Sequence, residues 1–244
     1  MKAKIDSFME AFGMAEYPVL FRYTDSLPEG TMLPPEATRV CVFALLSKTR
    51  AEGRPVALSA SQYGCAGGGY YLGFLDQPRE GIEYFLSCGI AGKMEGERYL
   101  KTPELARAYF ARVPVHPAPK RYSLFTRADM PHLPDDPEVV IFFASPDLIA
   151  GLHFLASFDR NDDAVTTPFS SGCGAIVTLP LAEGERPDPR AVMGLFDPSA
   201  RPYVQENLLT FALPYALFSR MAGNIPESFL GTRTWETIRK RIRG

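Results

Sequence analysis

Apolar residues at Ile5, Phe8, Met9 and Phe12 fall three or four apart, so residues 3–14 are predicted to form a helix with one buried stripe. The pattern changes at Val19-Leu20-Phe21-Arg22-Tyr23, a short β-rich run that reads as a strand. Beyond the loop from Pro28 to Pro35, Val40, Cys41, Phe43, Ala44 and Leu46 give the apolar side of a helix. That helix runs from Pro35 or Glu36 to about Ala51 and is stopped by Gly53. Pro55–Ser59 is a short buried strand, and Tyr70–Leu75, Gly81–Cys88 and Pro103–Ala111 are further helices. Thr102 and Pro103 supply an N-cap and a first-turn proline for the last of them. Alternating prolines then forbid regular structure over Val113–Pro119, which makes that stretch the linker of the chain.

The second half opens with a strand at Tyr122–Thr126. Val139-Val140-Ile141-Phe142-Phe143-Ala144 is apolar without interruption, the pattern of a strand buried on both faces. Ser145-Pro146 starts a helix to about Phe158, and a short strand follows at Ala164–Thr167. Val192–Phe196 and Leu208–Leu213 read as late strands, Pro214–Ala222 and Thr232–Arg243 as helices. Together these elements predict an α+β (or α/β) fold with a mixed sheet and flanking helices. Both halves run strand, helix, short strand, then a Gly-Cys turn, so an internal pseudo-duplication is one alternative. The chain is then either one globular domain over 1–244 or two similar lobes, about 1–113 and 120–230, with a C-terminal helix at 232–243.

Composition narrows the class of partner. The 244 residues are 46% hydrophobic and carry a net charge of −2, a folded chain with no global attraction for nucleic acid. No window approaches the apolar length of a transmembrane helix, and the first residues lack a signal-peptide pattern, so a cytoplasmic protein without a membrane partner is expected. The four cysteines, Cys41, Cys65, Cys88 and Cys173, are widely spaced and read as free thiols. Arg233, Arg239, Lys240, Arg241 and Arg243 make the last helix basic. They are read as a solvated face complementing the helix dipole, with a polyanion patch or a protein-docking role as the alternatives.

Candidate chemistry concentrates in two places. Gly64-Cys65-Ala66-Gly67-Gly68-Gly69-Tyr70-Tyr71-Leu72-Gly73 packs five glycines and a cysteine into ten residues after a buried strand. A fainter version occurs at Ser170-Ser171-Gly172-Cys173-Gly174. The cysteine-and-glycine run at 65–74, the later Gly172–Ala175 and the stretch Tyr215–Pro226 resemble domain-of-unknown-function family 169, roughly from the first helix to residue 230. The resemblance implies a prokaryotic, cytosolic protein; it assigns no reaction, and it draws attention to Cys65 and Cys173.

The residues themselves offer three chemistries. A strand, glycine turn and helix start aim backbone N–H groups at one spot, which favours a small-molecule or cofactor cleft. Ser61, Tyr63, Gly64, Cys65, Gly67, Gly68, Ser171, Gly172 and Cys173 would line it, with Gly64, Gly67 and Gly68 as backbone donors. The glycine spacing does not fit a dinucleotide fingerprint, and there is no Walker motif. The alternative is an enzyme with Cys65 as nucleophile, activated at a helix N-terminus and needing a base among His116, His132 and His153. A metal held by Cys65 and Cys173 has no support from local spacing. Cys41 and Cys88 read as buried structural thiols, Tyr71 and Phe74 as core, and Tyr63 as a pocket residue. No cofactor identity or oligomeric state is legible.

Overall fold

The computed structural model describes residues 1–36, 39–131, 133 and 137–243. In chain order they form α1 (Lys2–Phe12), β1 (Val19–Thr24), α2 (Val42–Glu52), β2 (Val56–Ser59), α3 (Ala66–Tyr71), α4 (Ile82–Phe85) and α5 (Pro103–Phe110). After the proline stretch come β3 (Tyr122–Arg127), β4 (Val139–Ala144), α6 (Pro146–Ala156), β5 (Val165–Thr166) and α7 (Leu179–Gly184). The chain ends with β6 (Ala191–Gly194), β7 (Leu209–Pro214), α8 (Tyr215–Asn224) and α9 (Arg233–Arg243).

Among the described residues the strands make one mixed sheet in the order β2-β3-β1-β4-β7-β6-β5. All neighbours are antiparallel except β5 and β6. The fold is therefore α+β. β4 lies at the centre, paired with β1 on one side and over its whole length with β7 on the other. Its six residues are all buried, because helices cover both faces of the sheet. Val140, Phe142 and Ala144 pack under α1, α6, α8 and α9, whereas Val139, Ile141 and Phe143 face α2 and α3. Glu138 sits at the start of the strand: its N–H donates to the Phe21 carbonyl (2.9 Å), and a carboxylate oxygen accepts from Tyr23 N–H (2.6 Å).

Most element boundaries follow from the expected signals. Thr102 caps α5, accepting from Leu105 N–H, and Gly53 ends α2 in the left-handed conformation. α2 differs from expectation. It begins at Val42 with Cys41 as its N-cap, not at Pro35 or Glu36; of the stretch between, Ala37 and Thr38 lie outside the described residues. α3 starts earlier than expected, directly after Cys65, and Gly73 lies beyond its end. The helix expected at Gly81–Cys88 shortens to Ile82–Phe85.

The two helices of the internal echo, α2 and α6, lie on opposite faces of the sheet. The proline stretch is not a free tether. Ala118 N–H donates to the Gly73 carbonyl (2.9 Å), and a Cβ at Gly73 would sit 2.2 Å from the His116 carbonyl oxygen. With φ at +74°, Gly73 meets a backbone conformation and a close approach that only glycine satisfies together.

Candidate functional site

The glycine-rich stretch leaves β2 at Ser59, and the chain turns through Gly64 to start α3. Gly64 has φ +75°, and a Cβ there would lie 2.6 Å from the Val40 carbonyl oxygen, so the turn packs directly on the segment leading to α2. Cys65 is the N-cap of α3, where its Sγ accepts from Gly68 N–H at 3.3 Å. The second turn is built in parallel fashion. Ser171 Oγ accepts from Gly174 N–H (3.1 Å), and Gly172 and Cys173 begin a helical run that passes through a π segment, Gly174–Thr178, into α7. Such bulges in helices are frequent at functional sites. Gly172 lies against α2: a Cβ on it would come 2.5 Å from the Phe43 ring.

The two turns face one cavity of about 1290 Å³. Ser61, Tyr63, Gly64, Cys65, Gly67, Gly68, Ser171, Gly172 and Cys173 all line it. One of the backbone donors is already engaged, since the Gly68 amide is turned to the Cys65 sulfur. Tyr63 lines the cavity, and Phe74 packs with the core beside α2. Tyr71 does both: it is buried, and its ring forms part of the cavity wall.

Cys41 is a cavity residue, contrary to its reading as a structural thiol on a helix face, because α2 starts one residue after it. Three thiols thus share one wall. Burial pushes the Cys173 thiol well above its usual range, with the neighbouring Cys65 and Cys41 sulfurs adding in the same direction. Burial likewise raises Cys41, against the amides of Phe43 and Ala44. Both are thiols, not thiolates, at neutral pH. Cys88, expected to be buried, is exposed and does not line the cavity.

A hydroxyl chain runs beside the second turn. The Tyr71 and Tyr109 hydroxyls bond each other at 2.8 Å, and Tyr109 donates onward to Ser170 Oγ at 3.4 Å. Burial raises both phenols, so they stay protonated hydrogen-bonding groups. Asp197 anchors the second turn. Its carboxylate accepts from Gly172 N–H (3.3 Å) and from the backbone and hydroxyl of Ser199 (3.0 and 2.7 Å).

Residues 7–224 match the family model of DUF169, described as "Uncharacterised ArCR". The chain belongs to the DUF169 family. No curated protein and no solved structure matches it. The matched span of this DUF169 chain contains both Gly-Cys turns and every cavity-lining residue named above.

The expected base for a Cys65 nucleophile is not at hand among the described residues. His116 is half exposed and 3.7 Å from Glu185, and His153 is exposed on α6; neither lines the cavity. His132 lies outside the described residues. Nor does any group of three or more His, Cys, Asp or Glu side chains among the described residues have the arrangement of a metal site. No helix among them is long and apolar enough to cross a membrane.

Cys41, Tyr109 and Asp197 were not legible as site residues in the sequence. For Cys41 the missing signal was the true start of α2. Asp197 follows β6 and is brought to the second turn only by the sheet. The basic C-terminal helix is partly occupied with packing: Arg241 forks onto Asp147 of α6, and Trp235 is buried.

Proposed function

We propose that this protein binds a small organic molecule or cofactor in the cavity between the two Gly-Cys turns, with Cys65 and Cys173 among its contacts. The observation that carries the reading is convergence: residues chosen from two distant stretches line a single large concavity. That cavity mixes aromatic rings with a few fixed polar groups, the usual make-up of a ligand site. The reading includes a cytoplasmic location, supported by four free cysteines, and no nucleic-acid partner, supported by the net charge of −2.

The test uses Gly67→Trp. An added Cβ at Gly67 meets only Cys65 Sγ, at 4.0 Å, so the new side chain fills cavity space without displacing core. Native mass spectrometry of the full chain purified under reducing conditions should show a noncovalent small-molecule adduct in the wild type that Gly67→Trp lacks. An adduct retained equally by both proteins, or by neither, counts against the reading.

A further inference from the structure

Resting on the reading that this cavity binds a small molecule, we infer that its ligand is a flat, mostly apolar organic molecule bearing one anionic group, held at the cavity by Arg39 and Arg79. Volume is the first argument. At about 1290 Å³ the cavity exceeds the roughly 300–1,000 Å³ of pockets that enclose drug-sized ligands, so a small polar metabolite would leave most of it wet.

The walls are the second argument. Phe169 stands edge-on to Tyr109, with ring centres 5.0 Å apart and planes at 84°, yet it remains 49% exposed. Phe196, beside Asp197, is 54% exposed. Both rings line the cavity. Ring faces left in water at a concave site are stabilised by stacking on another flat apolar surface.

Charge is the third. Among the described residues the charged side chains of the lining are Arg39, Arg79, Glu80 and Asp197. Asp197 is engaged by Gly172 and Ser199. No hydrogen bond or ion pair among the described residues ties down the side chains of Arg39, Arg79 or Glu80. Elsewhere Arg127, Arg160, Arg190 and Arg241 each hold a carboxylate. Two free guanidinium forks against one free carboxylate favour a single carboxylate or phosphate, whose oxygens match the fork geometry. A polyanion would meet Glu80, and a neutral ligand would engage neither arginine.

Two fluorescent probes separate the parts of this inference. Anilinonaphthalene sulfonate and phenylnaphthylamine share one ring skeleton, and only the first carries an anionic group. Both should bind and compete for one site, the sulfonate about tenfold more tightly. The double variant Arg39→Gln/Arg79→Gln should erase that advantage and leave phenylnaphthylamine unchanged. Arg233→Gln, on α9, should alter neither probe, and Gly67→Trp should exclude both. If the double variant keeps the sulfonate's advantage, or weakens both probes equally, the anionic group is overturned while the cavity reading stands. If neither probe binds, or both still bind Gly67→Trp, the cavity reading falls and this inference with it.

Discussion

The two faces of the sheet are built from the same strands and packed in opposite ways. Under α1, α6, α8 and α9, the rings of Phe8, Phe12, Phe142, Phe218 and Trp235 interlock, with Phe8 4.7 Å from Phe12 and 5.0 Å from Phe218. Gly151 of α6 lets α9 approach closely: a Cβ there would fall 2.3 Å from the Trp235 ring. Long helices lie flat on this face and close it. On the other face α3 is short and glycine-rich, and its last residue, Tyr71, lies against the second turn at Gly174. Side chains there cannot close the space, and a cavity remains. Both faces carry a buried core, and the side of α2 and α3 also borders the cavity.

Substitutions can break that division. The largest effect is expected for Phe8→Ala, which removes a ring stacked on Phe12 and Phe142 and tilted against Phe218 and should cost about 3–5 kcal/mol in denaturant unfolding. Phenylnaphthylamine affinity of the remaining folded protein should not change; a parallel loss of affinity would show that the faces are not separable. A smaller effect is expected for Gly68→Ala. Its Cβ would lie 2.8 Å from Val42 Cγ2 and 2.9 Å from the Tyr63 carbonyl oxygen, an overpacking of about 1–3 kcal/mol. Because Gly68 also holds the Cys65 sulfur, probe affinity should fall here, the reverse of Phe8→Ala.

The smallest effect concerns pH. Burial holds the folded Cys173 thiol above its unfolded value near 9.0, so the unfolded chain releases its proton first. The stability contribution is complete below that value and is lost as pH rises toward the folded one. Unfolding midpoints should show a loss of about 1 kcal/mol between about pH 9 and 10, reduced in Cys173→Ala. An unchanged slope in that variant would assign the loss to other groups, Cys41 among them, whose thiol is raised in the same direction.

The sequence was most readable where one physical signal dominates. The unbroken apolar run of β4, the Thr102-Pro103 cap and the amphipathic last helix each have one local cause, and each lies where expected. The paired Gly-Cys turns were visible because glycine and cysteine are uncommon neighbours. The start of α2 was not visible, since cysteine is a rare N-cap and the stronger signals, Pro35 and Glu36, lie upstream. The π segment has no pattern of its own: Gly174–Thr178 reads as any apolar stretch. Asp197 and Tyr109 reach the cavity through tertiary packing, which periodicity within one segment cannot report.

The central strand carries a further consequence. A strand with one wet face is locked in place by its alternation, because a slip of one residue would expose its apolar set. β4 has no such protection, since every residue of it is apolar and both sides are covered. Its alignment must be set from outside the run. Glu138 is placed to do this: its backbone N–H reaches Phe21, its carbonyl accepts from Tyr215 N–H at 3.0 Å, and its carboxylate takes Tyr23 N–H. The carboxylate of the residue just before the central strand thereby adds a side-chain contact to the alignment that sets which side chains of β4 face the closed core and which lie on the side of the cavity.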